Sequence, residues 1–162
     1  MVLDETQRAE YLHRCYTAVD GLWFVKVQEQ FGFDKALEID EAVWRILAKI
    51  QARKMKELAG LPDGLEGLFD GFTEKLRIDG FVFEAEKDGD GKGFRLRINI
   101  CPWFEILRKS GREELSATIG DRVGVAEYGT WAKEFGKGIS FKLERQQCKG
   151  DEICIFVFRC ES

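Results

Sequence analysis

This chain of 162 residues has five cysteines, and their thiols are its most chemically distinctive side chains. Cys148 and Cys154 flank a turn centred on Gly150-Asp151-Glu152, between two predicted strands. If the hairpin pairs these two cysteines directly, their Cβ atoms lie about 4.5–5.5 Å apart on one face. Both thiolates could then bind one tetrahedral zinc ion at about 2.3 Å. The spacing therefore predicts half of a zinc site on the last hairpin.

Cys101 is the natural third ligand of this predicted site. It follows Arg95, Arg97 and Asn99 on the strand parity that faces away from the core, so it is not placed to fill the core. The fourth ligand would be a carboxylate or water, since the single histidine, His13, is far away in sequence.

Two glutamates compete for that fourth position, and Glu127 is preferred because it shares a helix face with apolar residues. Glu144, four residues before Cys148, is the rival. Three thiolates and a carboxylate leave a zinc site negatively charged, so we expect Arg95, Arg97 or Arg122 to approach it. An iron–sulfur centre is disfavoured because it usually needs four thiolates. Cys15, on a buried helix stripe, and Cys160, near the chain end, are expected to be bystanders.

The spacing of apolar residues, which indicates the elements that position these cysteines and glutamates, changes at Gly80. Helical spacing covers the chain before it, with a break expected at Asp20-Gly21, whereas alternating apolar and polar residues after it predict two hairpins. We expect an α+β fold with N-terminal helices followed by two β-hairpins that form an antiparallel sheet, with helices between them. The pattern predicts one domain over residues 1–162, mainly helical over 1–79 and hairpin–helix–hairpin over 80–162.

Composition excludes several classes of function. The net charge of −4 argues against direct nucleic-acid binding, and neither a signal peptide nor a membrane span is predicted. We therefore expect a cytoplasmic protein with free thiols or metal ligands instead of disulfides. With one histidine, and no histidine near its serines and threonines, a Ser-His-Asp triad is excluded. The acidic turn that begins at Glu86 lacks the twelfth-position glutamate of a calcium loop, where Arg97 stands instead.

Four segments resemble a bacterial and archaeal family of uncharacterised proteins. They are Tyr16-Thr-Ala-Val-Asp-Gly-Leu-Trp-Phe24, Phe33-Asp-Lys-Ala-Leu-Glu-Ile-Asp40, Cys101-Pro-Trp103 and the ending Cys148-x-Gly-x-x-x-Cys154-x-Phe156. That family is similar to 4-vinyl reductase-like domains, some of which are the sensors of transcription activators, and to the aminothiazoline-carboxylate hydrolase-like group.

The resemblance implies a zinc ion held by three cysteines and a glutamate beside an apolar ligand pocket. Cys148 and Cys154 match the closing pair of those cysteines, at a shorter spacing. The remaining cysteine of the sensors lies on a helix near the segment 121–127, which has no cysteine here, so Cys101 would have to take its place.

Two functions follow from these observations. The first is a small-molecule-binding or sensor module for an apolar or heterocyclic molecule, with zinc as cofactor and with Asp20, Trp23, Trp103 and Trp131 as ligand contacts. A first helix that is apolar on nearly every face also suits a homodimer. The alternative is a small hydrolase of the aminothiazoline-carboxylate type. It would use Cys101, activated at a helix N-terminus, or a metal-bound water, with Glu127 or Asp20 moving protons.

Overall fold

A computed structural model describes residues 2–160 and has the predicted α+β class. The helices are α1 (Glu5–Phe31), α2 (Phe33–Ala59), α3 (Leu65–Ile78), α4 (Pro102–Lys109), α5 (Ser116–Ile119) and α6 (Val125–Phe135). The strands are β1 (Val82–Lys87), β2 (Gly93–Ile100), β3 (Ile139–Arg145) and β4 (Cys154–Cys160). A π-helical turn, Gly120–Gly124, precedes α6. None of the described helices is both long and apolar enough to cross a membrane.

The chain divides into two compact units between Asp40 and Glu41. The first contains α1 and the start of α2. A capping box begins α1: the side chain of Asp4 accepts a hydrogen bond from the Gln7 backbone N–H at 2.8 Å, and the Gln7 side chain accepts one from the Asp4 N–H at 3.1 Å. The helix continues unbroken through Asp20-Gly21, so the expected break there is wrong. One interior glycine costs a helix only about 1 kcal/mol, which a helix of this length tolerates.

Most of the apolar side chains of α1 are exposed. Phe24 and Val27 are its buried residues, whereas six large apolar side chains are more than half exposed: Tyr11, Leu12, Val19, Leu22, Trp23 and Phe31. Cys15 is also exposed, so its predicted burial is wrong. The helix therefore presents exposed apolar groups on several faces. The homodimer stays a prediction.

The second unit is built on a four-stranded antiparallel sheet in the order β1-β2-β4-β3. Each hairpin forms as predicted, but the register of the last one differs. Phe141 pairs with Phe158, and the register shifts between Leu143 and Arg145. Cys148 then falls in a short 3₁₀ turn, Gln147–Lys149, and not opposite Cys154. The predicted pairing of the two cysteines is therefore wrong, because the bulge and the turn take up residues that the sequence pattern assigned to β3.

One face of the sheet packs against α3 and α6. The rings of Phe94 and Phe158 stack at 4.8 Å, and Phe72 of α3 meets Tyr128, Trp131 and Phe158 at centroid distances of 4.8–5.7 Å. Such edge and offset contacts are the favoured aromatic geometries. The core of this unit is therefore an aromatic layer between the sheet and two helices.

Two glycines of α3 and α6 offer a matched test of this packing. A Cβ built on Gly67 would lie 1.9 Å from the carbonyl oxygen of Pro62, whereas one on Gly129 meets nothing within 4 Å. We expect Gly67→Ala to lower the free energy of unfolding by about 1–3 kcal/mol because backbone must shift. Gly129→Ala should raise it by up to about 1 kcal/mol. Urea denaturation measures both; equal effects of the two substitutions would contradict the close approach at Gly67.

Candidate functional site

A buried lysine is the most unusual feature of the second unit. Lys75 lies on the inward face of α3, beside Phe72 and Leu76, and its side chain is only 4% exposed. Its Nζ atom lies 2.5 Å from Oδ2 of Asp79 and 2.7 Å from Oε1 of Glu127. Asp79 is one helical turn away at the end of α3, whereas Glu127 comes from α6. The ion pairs therefore join two helices inside the aromatic core.

The lysine is held in its charged form. Burial alone would lower the pKa of Lys75, but the carboxylates of Glu127 and Asp79 outweigh this effect and raise the pKa above its ordinary value. An ammonium between two carboxylates leaves one negative charge uncompensated if both carboxylates are ionised. Both carboxylates therefore lie within hydrogen-bonding distance of the ammonium, but the charges of the three groups do not sum to zero.

Tyr128 links this cluster to the cysteines. Nζ of Lys75 lies 5.5 Å from the centre of its ring. The pKa of Tyr128 is raised well above its usual value, first by burial and then by Glu127, Cys101, Asp79 and Cys154. Tyr128 belongs to the core against which Cys101 and Cys154 pack.

The three cysteines predicted to converge do influence one another. The pKa of Cys101 is raised to about 12. Burial is the main cause, the backbone N–H groups of Phe104 and Trp103 oppose it, and Cys154 and Cys148 add to it. Cys101 does stand immediately before α4, as expected. Its thiol is nevertheless held protonated, because burial outweighs the helix N-terminus that was expected to activate it. The sulfur therefore lacks the lowered pKa that a nucleophile requires.

The turn that carries Cys148 is tied to its surroundings by hydrogen bonds. The Gln147 N–H donates to Sγ of Cys154 at 3.2 Å, and the Cys148 thiol lies 3.5 Å from Oε1 of Gln146. Burial raises the pKa of both thiols. Among residues 2–160, no group of three or more histidine, cysteine, aspartate or glutamate side chains could hold a metal ion as they stand. The thiols influence one another, but their arrangement in the structure is not that of a metal site.

The two glutamates considered as ligands have different environments. Glu127 is buried, as its helix face indicated, and it contacts Lys75. Glu144 lies on the outer face of the sheet, 3.9 Å from both Arg95 and Lys142. Of the two, only Glu127 is buried in the core of the second unit.

The arginines expected beside the thiols have other partners. Arg95 and Arg97 pair with glutamates at the sheet surface, and Arg122 binds Glu41. The cation that acts on a thiol is Lys149, which opposes the rise of the Cys148 pKa.

The predicted ligand-contacting residues are distributed over both units. Trp131 is wholly buried in the aromatic core, and Trp103 packs against it with its ring 5.6 Å from that of Trp44. Asp20 and Trp23 lie on α1 in the first unit, where Trp23 is 61% exposed. Among the described residues, the buried indole Nε1 of Trp131 has no hydrogen-bond partner. An unpaired buried donor of this kind costs about 1–3 kcal/mol.

Lys75 and Asp79 were not among the predicted site residues. The sequence does hold a signal for them: Leu68, Phe72 and Leu76 define a buried stripe of α3, and positions 75 and 79 continue it at helical spacing. A lysine on such a stripe needs a buried partner. The helical spacing does not identify that partner as Glu127, because this contact depends on how α3 and α6 pack.

The comparisons with known proteins agree with this fold. A model of a family of unknown function, DUF6125, matches residues 8–161. The chain belongs to this family. No curated protein matches it in sequence.

Two solved structures resemble the chain at 10% sequence identity. The phenol-responsive sensory domain of the transcription activator PoxR, solved with phenol, has a TM-score of 0.54 and matches 99% of this chain and 76% of its own. Subunit 3 of a trafficking protein particle complex from Naegleria fowleri, covalently bound to palmitic acid, has a TM-score of 0.49 and matches 98% of each chain. At this identity, the likeness to the sensory domain shows a shared fold.

Removing the buried ammonium tests the cluster. Lys75→Met would leave Asp79 and Glu127 buried without their cation, so the free energy of unfolding should fall by about 3–5 kcal/mol. Lys54→Met is the control, because Lys54 forms an exposed pair with Glu57 and should change stability by less than about 0.5 kcal/mol. Urea denaturation at neutral pH compares the two. Equal stability of the two variants would show that Lys75 is not held as the structure describes.

Proposed function

We propose that this protein is a small-molecule-binding module of the sensory type, and that its ligand binds at the buried cluster of Lys75, Asp79, Glu127 and Tyr128. The observation that carries the proposal is the ionised lysine enclosed by two carboxylates within an aromatic core. Desolvated charges of this kind contribute little to stability compared with apolar residues of the same size. Clusters of buried titratable groups are also typical of functional sites.

The surroundings of the cluster indicate what class of ligand it would accept. Tyr128 and Trp131 lie on the same inward face of α6 as Glu127, with the ring of Phe72 packed against both aromatic residues. An aromatic ring would pack among these side chains, and one polar group on it would exchange hydrogen bonds with the cluster. The unpaired Trp131 N–H is a donor for an acceptor atom on such a ligand.

The sensory domain with the same fold supports this choice. That domain responds to phenol, which is an aromatic ring with one hydroxyl group. Phenol combines the apolar body and the single polar group that the buried cluster would accommodate. A small aromatic or heterocyclic molecule with one hydrogen-bonding group is therefore the proposed ligand class. Because the core is closed around the cluster, we expect binding to involve local opening of the packing between α3 and α6.

Two conservative substitutions test this site without removing buried charge. Tyr128→Phe removes only the hydroxyl group and Trp131→Phe removes the unpaired indole N–H, whereas Tyr11→Phe changes an exposed tyrosine as a control. Phenol, cresol and indole are the probes, with binding measured by calorimetry. We expect the Tyr128→Phe and Trp131→Phe variants to bind the best probe about tenfold more weakly, which corresponds to one lost hydrogen bond. Unchanged affinity in both variants, or no binding of any probe to the wild-type protein, would contradict the proposal.

An apolar replacement of the whole cluster separates function from stability. In the variant Lys75→Met, Asp79→Leu, Glu127→Leu, no charge remains to be desolvated, so stability should equal or exceed that of the wild type. Phenol binding should be lost. A folded triple variant with wild-type affinity for phenol would place the ligand elsewhere.

Zinc at Cys101, Cys148 and Cys154 is a further part of the proposal. The mutual influence of the three thiols supports it, as does the resemblance of the cysteine pattern to 4-vinyl reductase-like sensors. The side chains do not fit an ion as they stand, so binding would need the thiols to rotate and deprotonate. Glu127 would have to exchange its bond with Lys75 to become the fourth ligand.

Location in the cytoplasm also stays a prediction, which rests on the cysteine content.

Metal analysis of protein purified without chelators or immobilised-metal columns tests the zinc proposal. We expect one zinc ion per chain, lost when serine replaces Cys101, Cys148 or Cys154 and retained when it replaces Cys15 or Cys160. Dialysis of Glu127→Gln and Glu144→Gln against a mild chelator tests the fourth ligand, with faster loss expected for Glu127→Gln because an amide is the poorer zinc ligand. Absence of bound metal after dialysis against zinc would refute this part of the proposal, while phenol binding would remain a separate test.

A further inference from the structure

A surface groove of about 500 Å³ lies on the other side of α6 from the buried cluster. It is bounded by the outer face of α6, the start of β3 and the second-unit part of α2. Its charged lining residues are Glu41, Arg45, Asp121, Arg122, Lys133 and Lys137. Its volume is within the range of about 300–1,000 Å³ that small-molecule sites usually have.

One carboxylate fixes two guanidinium groups at this groove. Nη2 of Arg45 lies 2.7 Å from Oε1 of Glu41, while Nε and Nη2 of Arg122 lie 2.9 and 2.6 Å from Oε2. Both guanidinium groups hold the pKa of Glu41 below its usual value, so this carboxylate is ionised at neutral pH. Because one negative charge cannot balance two positive charges, the arrangement retains a positive charge and free N–H donors on side chains about half exposed.

The other charges of the groove increase this excess. Asp121 is already neutralised, since both of its oxygens accept from Lys149 at 2.7–2.8 Å. In the described part of the chain, Lys133 and Lys137 form no ion pair. The groove therefore concentrates positive charge on a protein whose net charge is −4. A concave surface with charge of one sign attracts small ions of the opposite sign.

The lining also has an apolar part. Val125, Ile139 and Phe141 contribute to it, and the ring of Phe141 packs 5.4 Å from that of Tyr128. Gly129 leaves space at the middle of α6, since an added Cβ would meet nothing within 4 Å. An interior glycine weakens a helix by about 1 kcal/mol, so the open space comes at a cost to α6.

We propose that this groove binds a small organic anion: an apolar body that lies along α6 and carries one carboxylate or phosphate group. The anionic group contacts Arg45, Arg122 and Lys133, where guanidinium N–H groups and a lysine ammonium are available. The apolar body fills the space beside Gly129. This site is separate from the buried cluster proposed to bind phenol, although α6 lines both.

Three substitutions test the groove at low ionic strength, where the attraction is least screened. The probes are benzoate, phenyl phosphate and inorganic phosphate, measured by calorimetry. Lys133→Gln and Arg122→Gln each remove one charged donor, and Gly129→Leu fills the space with a good helix former. Lys54→Gln is the control for an exposed lysine outside the groove. Circular dichroism verifies that each variant is folded.

We expect at least one aryl anion to bind the wild-type protein and the Lys54→Gln variant alike. Lys133→Gln and Arg122→Gln should each weaken binding about tenfold, the effect of one charge-assisted hydrogen bond, and Gly129→Leu should abolish it. Preference for benzoate over phenyl phosphate would identify a carboxylate ligand, and the reverse a phosphate. The groove variants should keep the response to phenol, whereas Tyr128→Phe should keep the response to the anion.

Three results would overturn the proposal. The first is no binding of either aryl anion at millimolar concentration. The second is wild-type affinity in the folded Gly129→Leu variant, because the groove would then not be the site. The third is equal affinity for inorganic phosphate and phenyl phosphate, which would leave no role for the apolar lining.

Discussion

An ammonium ion inside a protein loses its hydration, and this costs several kcal/mol unless anions replace the water. Lys75 meets this constraint with Asp79 on its own helix and Glu127 on α6. The second contact fixes how α3 and α6 face each other, because a shift of either helix would separate Lys75 from Glu127. The aromatic side chains that surround the cluster are packed around this fixed arrangement, with Phe72 in contact with Tyr128, Trp131 and Phe158.

The same constraint explains why we assign function to this part of the molecule. An apolar replacement of Lys75, Asp79 and Glu127 would fill the same space without the cost of desolvation. Tyr128 lies beside Lys75 in the aromatic core, and Cys101 and Cys154 pack against the same core. α6 has a second face, which lines a groove with excess positive charge. One helix therefore contributes to both proposed sites, one buried and one open, which differ in chemistry.

The sequence was informative where a local pattern decides the structure. The change of period at Gly80 separated helices from strands, and the alternation of apolar and polar residues after it predicted the two hairpins. Glu127 was singled out as a ligand because it shares a helix face with apolar residues, and the structure buries it. The register of the last hairpin was not predictable, since the shift between Leu143 and Arg145 depends on pairing with β4. Lys75 was missed because a lysine in a helix is usually exposed, and its partner Glu127 is far away in sequence.

Detection of the lysine ammonium groups by nitrogen-15 NMR at neutral pH would test the central claim most directly. A buried, hydrogen-bonded ammonium exchanges its protons slowly, whereas exposed ones exchange too fast to be observed easily. The account predicts a protected ammonium resonance that is absent from the Lys75→Met variant and that shifts when phenol is added. A spectrum without a protected Lys75 ammonium would contradict the buried ionised cluster, and a Lys75 resonance unchanged by saturating phenol would contradict its role in ligand binding.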